Sequence, residues 1–78
     1  MGTYEILKDM ALFIYNYSKR KPRKMPLKKF EKLIEVKAGT KLSRESKIEI
    51  IESLIDEGKI RLITSRYGQK YVFMGELV

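Results

Sequence analysis

Two segments of this chain, residues 60–64 and 70–74, constrain its fold most strongly. Both are rich in β-branched and aromatic side chains, and the five residues between them include Gly68. This pattern predicts a two-stranded β-hairpin. Because an isolated hairpin is scarcely stable in water, its apolar residues must pack on other elements. We expect the packing residues to be Ile60, Leu62, and either Tyr71 or Val72 together with Phe73.

Three amphipathic helices are predicted ahead of the hairpin, at about residues 3–18, 27–37 and 43–57. Thr3 and Ser43 are expected to cap the first and third helices. Apolar residues recur at three- and four-residue spacings, which places them on one face of each helix. The expected core positions are Ile6, Met10, Phe13, Ile14 and Tyr17, then Leu27, Phe30, Leu33 and Ile34, then Ile48, Ile51, Leu54 and Ile55.

The chain is expected to form a single α+β domain over residues 1–78, because 78 residues support one small core. It contains no cysteine and no histidine, which excludes disulfides, thiol nucleophiles, Cys/His zinc sites and imidazole acid–base chemistry. We therefore expect no enzymatic activity, no metal or other cofactor, and no small-molecule ligand. The longest apolar run, residues 10–15, is too short to span a bilayer, and the N-terminus lacks a secretory pattern. A soluble, cytoplasmic protein is expected.

A basic arm follows the first helix. Residues 18–29 hold seven positive charges and no negative one, within a net charge of +7 for the chain. Pro22 and Pro26 are expected to keep residues 18–26 extended, with Pro26 at the first position of helix two. We interpret the arm as a phosphate-contacting segment, with a solvated basic loop as the alternative. A Lys/Glu/Ile-rich surface is also typical of heat-adapted proteins, but heat adaptation alone does not explain the excess of Lys and Arg.

Helix one carries a second apolar flank outside its core face. The residues on this flank are Tyr4, Ala11, Leu12 and Tyr15. Two arrangements would cover it. The flank packs beneath the hairpin within one subunit, or it meets a copy of itself in a homodimer through Tyr4, Leu12 and Tyr15.

Residues 42–60 and the strands that follow them resemble the recognition helix and wing of a winged helix-turn-helix domain. Gly39 is expected to end helix two, Leu42 to fill the turn, and Gly58 to end helix three. An ordinary helical hairpin would explain the helices equally well, but the strand pair favours the resemblance. The resemblance implies duplex DNA binding, with helix three in the major groove and the hairpin, or wing, alongside. Small free-standing members of this family, many of them archaeal or viral, often act as homodimeric transcription regulators.

The candidate DNA-binding residues form three groups. The first turns of helix three would read bases, the arm and the turn would contact phosphates, and the wing tip would reach the backbone or a minor groove. The groups are Arg44, Glu45, Ser46, Lys47 and Glu49; Lys21, Arg23, Lys24, Lys28 and Lys41; and Arg66, Tyr67, Gln69 and Lys70.

Carboxylates on the outward face of helix three oppose base reading. Glu45, Glu49, Glu52 and Asp56 are expected there, and an acid aimed at a phosphate is repulsive, although Glu45 or Glu49 could accept a hydrogen bond from cytosine. Three interpretations therefore stay open. The chain is a sequence-specific transcription regulator, an architectural or weakly specific DNA binder that uses only the arm and the wing, or a protein-interaction domain whose acidic face meets a basic partner.

Overall fold

The computed structural model of the chain describes residues 2–20 and 22–75. Within them the elements run α1 (Thr3–Tyr17), β1 (Lys24–Pro26), α2 (Leu27–Ala38), α3 (Arg44–Asp56), β2 (Ile60–Thr64) and β3 (Lys70–Met74). The expected α+β architecture of three helices and a C-terminal hairpin is confirmed. No helix in the described part of the chain is long and apolar enough to cross a membrane.

The predicted ends of α2 and α3 are confirmed by their local hydrogen bonds. Gly39 follows α2 with a φ of 75°, a left-handed conformation that glycine adopts without strain. Ser43 precedes α3, and its Oγ accepts a hydrogen bond from the Ser46 amide at 3.1 Å. Gly58 lies two residues beyond α3, where its amide donates to the Ile55 carbonyl at 2.9 Å. These local signals are sufficient to delimit the helix-turn-helix segment.

Helices α1 and α2 begin at Thr3 and Leu27, as the predicted bounds have it, but the roles expected for Thr3 and Pro26 are wrong by one position. Thr3 is the first helical residue of α1 rather than its cap. Gly2 takes the cap position, and α1 has no side-chain capping bond. Pro26 precedes α2 as the last residue of β1, in an extended conformation with a ψ of 140°. Because β1 is an edge strand, the missing proline amide costs the sheet little.

The sheet contains three antiparallel strands in the order β1-β3-β2, so the expected two-stranded hairpin gains a third strand. That strand comes from the basic arm. Residues 24–26 are extended as predicted, whereas residues 18–20 form a turn after α1. Met25 lies opposite Val72, and Val72 lies opposite Leu62, so these three side chains share the sheet face that packs on the helices. Ile60 and Met74 pair farther along the same face.

One core lies between this sheet face and the three helices. Its buried residues are Ile6, Met10, Ile14, Met25, Phe30, Ile34, Ile50, Ile51, Leu54, Ile60, Val72 and Met74. Phe13, Tyr17, Leu27, Leu33, Leu42 and Ile55 pack on it while partly buried.

Three expected core assignments are wrong. Ile48 is 43% exposed and Ile50 takes its place in the core, because α3 packs through the face that carries Ile50, Ile51 and Leu54. Leu62 is 42% exposed even though it shares the inner face of the sheet. Phe73 lies on the opposite face, since Val72 and Met74 take the inward positions of β3.

The second flank of α1 is exposed. Tyr4, Leu12 and Tyr15 are 78%, 64% and 60% exposed, so they do not pack beneath the hairpin of their own chain. Ala11 is half-buried. The intramolecular arrangement is therefore wrong, and the homodimer stays a prediction.

Candidate nucleic-acid interface

The basic arm is folded against the domain at both of its ends. A turn follows α1, in which the Arg20 amide donates to the Tyr17 carbonyl at 3.0 Å. At the other end, the Met74 amide donates to the Arg23 carbonyl at 2.9 Å, and the Tyr17 hydroxyl donates to the Lys24 carbonyl at 3.4 Å. These bonds fix the two ends of the arm on the domain, and contact of the arm with phosphates stays a prediction.

Aromatic rings hold the cations of the arm. Each of the four pairs places a positive group 4.4–5.3 Å from a ring centroid, within range of a cation–π contact. The pairs are Lys19 with Tyr15, Arg20 with Tyr17, Arg23 with Phe73, and Lys24 with Tyr71. Side chains held in this way lose less conformational entropy when they meet an anion. Lys21, a candidate phosphate contact, lies outside the described residues.

The pairing of β1 with β3 joins the arm to the hairpin and so assembles a larger basic surface. Residues 58–75 contain four cations and no Asp or Glu, and residues 18–30 also contain no acid. Half of the ten acids of the chain lie within residues 45–57, on α3 or just after it. The sheet is therefore basic and α3 is acidic.

Lys59 and Arg61 belong to this basic surface but were absent from the sequence-based candidates. The alternation of side chains along the predicted strands could have identified Arg61, because it places Arg61 on the face opposite Ile60. No local pattern indicated that Lys59 would lie near the arm. It lines a small depression together with Arg23 and Tyr15.

An open groove of about 490 Å³ lies where α2 begins and the hairpin turns, and we call it the tip groove. Its lining residues are Pro26, Leu27, Lys28, Glu31, Gly68, Gln69, Lys70 and Tyr71. Three of the sequence-based candidates, Lys28, Gln69 and Lys70, are thus brought together from two distant parts of the chain.

The hairpin turn is internally bonded. Gly68 has a φ of 83°, and its amide donates to the Ser65 carbonyl at 3.0 Å. The Gln69 side-chain oxygen accepts a hydrogen bond from the Tyr71 hydroxyl at 2.8 Å. Arg66 and Tyr67 project from this turn, where Tyr67 is 86% exposed. The turn therefore presents its polar side chains from a fixed backbone.

Some of the candidate DNA-binding residues in the first turns of α3 are exposed, and others contact neighbouring side chains. Arg44, Glu45 and Glu49 are exposed. Ser46 is half-buried and its hydroxyl lies 3.0 Å from Ser43 Oγ. Lys47 Nζ lies 3.9 Å from a carboxylate oxygen of Glu31, a long ion pair that turns Lys47 toward α2. Arg44 is thus the more exposed of the two cations in these turns.

The acidic stripe of α3 is exposed as expected, and it also contains an apolar residue. Glu45, Glu49, Glu52 and Asp56 all face solvent, with Ile48 among them. Within residues 2–20 and 22–75, no group of three or more acidic side chains is placed to hold a metal ion.

The turn before α3 carries Lys41, which is exposed. Glu35 stabilises this turn, because its carboxylate accepts a hydrogen bond from the Leu42 amide at 2.8 Å. Lys41 and Arg44 therefore extend from a segment that this hydrogen bond fixes beside α2.

Searches with the chain found no matching protein-family model, curated protein or solved structure.

Proposed function

We propose that this chain binds duplex DNA as a winged-helix transcription regulator, a role that would place it inside the cell. The main support for this proposal is the tip groove. It brings Lys28 of α2 together with Gln69 and Lys70 of the hairpin, and Glu31 on its wall pairs with Lys47 of α3. The start of α2 and the hairpin thus meet at one groove that carries two cations, and α3 is linked to the wall of this groove through the Lys47–Glu31 pair. A domain that straddles a DNA backbone requires contacts from several elements of this kind.

Phosphate contacts are assigned to cations around the tip groove and the arm. The first turn of α2 contains Lys28 and Lys29 and no acid, so the positive end of the helix dipole adds to their charge. Lys41, in the turn before α3, and Arg66, in the hairpin turn, belong to the same set of phosphate contacts. These contacts position the domain but carry no sequence information.

Base reading is assigned to Arg44, with Glu45 and Glu49 as its neighbours. Arg44 is exposed at the first residue of α3, whereas Lys47 is drawn toward Glu31. A guanidinium can bond both acceptors of a guanine edge. We therefore assign sequence preference to Arg44 ahead of Ser46 and Lys47.

The acidic face of α3 restricts how the helix can approach DNA. At ~1.5 Å per residue, Glu52 and Asp56 lie roughly 12 and 18 Å along the axis from Arg44. Both distances exceed the Debye length of about 8 Å at physiological salt. If α3 meets DNA through its N-terminal end, these carboxylates are therefore not strongly repelled by the phosphates. If α3 lay along the DNA over its whole length, they would be.

The test removes two cations of the tip groove and compares the effect with a charge-matched control. In the Lys28→Ala/Lys70→Ala variant, binding to random duplex should weaken and the salt slope should fall by about 1.8, since each lost phosphate contact removes ~0.9. The control, Lys8→Ala/Lys37→Ala, removes the same charge from α1 and from the far end of α2. Fluorescence anisotropy at several salt concentrations measures both. Equal slopes for the two variants would contradict the assigned groove.

Sequence reading is tested on a duplex selected from a random pool. Arg44→Ala should cost about 1–3 kcal/mol on the selected duplex and little on random duplex. Equal losses of binding free energy on both duplexes would contradict base reading by Arg44 and would favour an architectural, weakly specific binder.

A protein-interaction role is the second candidate, and the position of Ile48 favours it. An exposed isoleucine among Glu45, Glu49 and Glu52 offers an apolar centre with an acidic rim to a basic partner. Glu49→Gln separates the two functions. It should strengthen binding to random duplex if α3 approaches DNA, and it should leave DNA binding unchanged if α3 serves a protein partner.

A homodimer would complete the DNA-binding proposal. A chain this small reads few base pairs alone, and a second copy joined through Tyr4, Leu12 and Tyr15 would double the site. The exposure of all three residues supports this arrangement.

A further inference from the structure

The sheet has a face that the helices do not cover, and we call it the outer sheet face. The strand register arranges its side chains in two rows that run across β1, β3 and β2. The rows are Lys24, Phe73 and Arg61, and then Pro26, Tyr71 and Ile63. The central strand thus places two aromatic rings, both half-buried, in the middle of this face.

Cations surround both rings. The Arg23 guanidinium lies 4.7 Å from the centroid of Phe73, and that of Arg61 lies 5.8 Å from it. Gly75 leaves room for Arg23, because a Cβ at position 75 would lie 3.1 Å from an Arg23 nitrogen. Lys24 Nζ lies 5.3 Å from the centroid of Tyr71.

Carboxylates are absent from all three strands, and Glu31 of α2, which lines the tip groove with Tyr71, pairs with Lys47. Residues 22–30 and 58–75 contain no Asp or Glu, so no acid of these strands neutralises the three cations. An anion is therefore the complementary ligand for this face.

The spacing of the two rings matches a ligand with repeated flat groups. Tyr71 and Phe73 are two residues apart on one strand, which sets their side chains about 7 Å apart on the same face. Successive bases of an extended single strand can each stack on one such ring. A duplex cannot use the rings in this way, because its bases are already stacked and paired.

We propose that the outer sheet face binds a single-stranded nucleic acid. Tyr71 and Phe73 stack on successive bases, and Arg23, Lys24 and Arg61 contact the phosphates. This site goes beyond duplex binding at the tip groove. It shares Tyr71 with the groove, and Arg23 and Lys24 belong to the arm to which duplex phosphate contacts are also assigned. A base that stacks on Phe73 displaces a guanidinium from the ring, and the guanidinium then pairs with the adjacent phosphate.

The chain contains no tryptophan, which provides a direct probe. Phe73→Trp places a single indole at the centre of the outer sheet face and keeps the stacking surface. A deoxythymidine oligomer or a uridine oligomer added to this variant should quench the indole emission as its bases stack. Comparison of the two oligomers shows whether the natural strand is DNA or RNA. Unchanged emission with both oligomers would overturn the proposal.

Affinity measurements on the remaining variants separate stacking from charge. Phe73→Leu should weaken single-strand binding about tenfold, the effect expected for one lost base stack. Val36→Ala is the control, because Val36 is an exposed apolar residue of α2 with no assigned contact, and it should leave single-strand affinity unchanged. Circular dichroism tests whether each variant is folded. If Phe73→Leu is not folded, the quenching of Phe73→Trp decides whether the outer sheet face binds a single strand. Equal losses for Phe73→Leu and Val36→Ala would contradict the proposal.

Random duplex distinguishes this site from the tip groove. Phe73→Leu should keep its duplex affinity, and Lys28→Ala/Lys70→Ala should keep most of its single-strand affinity. If Lys28→Ala/Lys70→Ala loses only duplex binding, the single-strand site on the outer sheet face is supported. If oligomers quench the indole of Phe73→Trp but the protein binds no duplex, only the function proposed for the tip groove is contradicted. Equal weakening of both ligands by Phe73→Leu would show that the outer sheet face is not a separate single-strand site.

Discussion

Truncation of Met25 tests whether the basic arm is an integral strand of the sheet. Met25 is 3% exposed and lies opposite Val72, in a segment that otherwise resembles a charged linker. Met25→Ala removes most of this buried side chain and leaves a cavity between β1, β3 and the helices. Substitutions of this kind cost about 2–5 kcal/mol.

The cost is large for a domain of this size. Stabilities of ~0.05–0.15 kcal/mol per residue give roughly 4–12 kcal/mol for a chain of this length. A loss of about 3 kcal/mol therefore removes a quarter or more of the folding free energy. At about 4–8 °C per kcal/mol, Tm should fall by roughly 12–24 °C.

Urea and thermal unfolding, followed by far-ultraviolet circular dichroism, provide the measurement. Met25→Leu is the matched control, since a swap of similar volume costs less than about 1.5 kcal/mol. Lys24→Ala changes the exposed neighbour and should shift stability by less than about 0.5 kcal/mol. If Met25→Ala is as stable as Lys24→Ala, β1 is not docked and the joined basic surface does not exist.

Two further predictions concern the helix-turn-helix segment and assembly. Glu35→Ala removes the acceptor of the Leu42 amide and should cost about 1.5–3 kcal/mol in urea unfolding, whereas Glu35→Gln keeps an acceptor and should cost less. Equal costs for the two would rule out this bond as the source of stability. Leu12→Glu should convert a micromolar dimer to a folded monomer in sedimentation experiments, and a parent protein that is already monomeric would remove the dimer.

The hairpin and the helix ends were predictable because their determinants are local. Both strands of the hairpin have the predicted bounds, since β-rich segments and the glycine of their turn lie within 15 consecutive residues. Ser43 and Gly39 likewise act on hydrogen bonds within four residues of themselves. Signals of this kind need no knowledge of the tertiary structure.

The inward face of α3 was less predictable. Residues 48–55 contain four isoleucines, at positions 48, 50, 51 and 55, so the sequence allows more than one apolar stripe. Packing against α1 and the sheet selects the stripe through Ile50 and leaves Ile48 among the carboxylates. The exposed acids were still assigned correctly, because they lie away from Ile51 and Leu54, which both stripes share.

The tertiary structure alone determines where the basic residues lie relative to one another. Their number and the lack of acids around them are properties of the sequence, and these properties predict an anionic partner. The three residues of β1 are too few to show a periodicity, and their pairing depends on Val72 and its neighbours more than forty residues later. That long-range pairing converts a basic arm into an edge strand, brings Arg23 and Lys24 onto the rings of β3, and creates the outer sheet face.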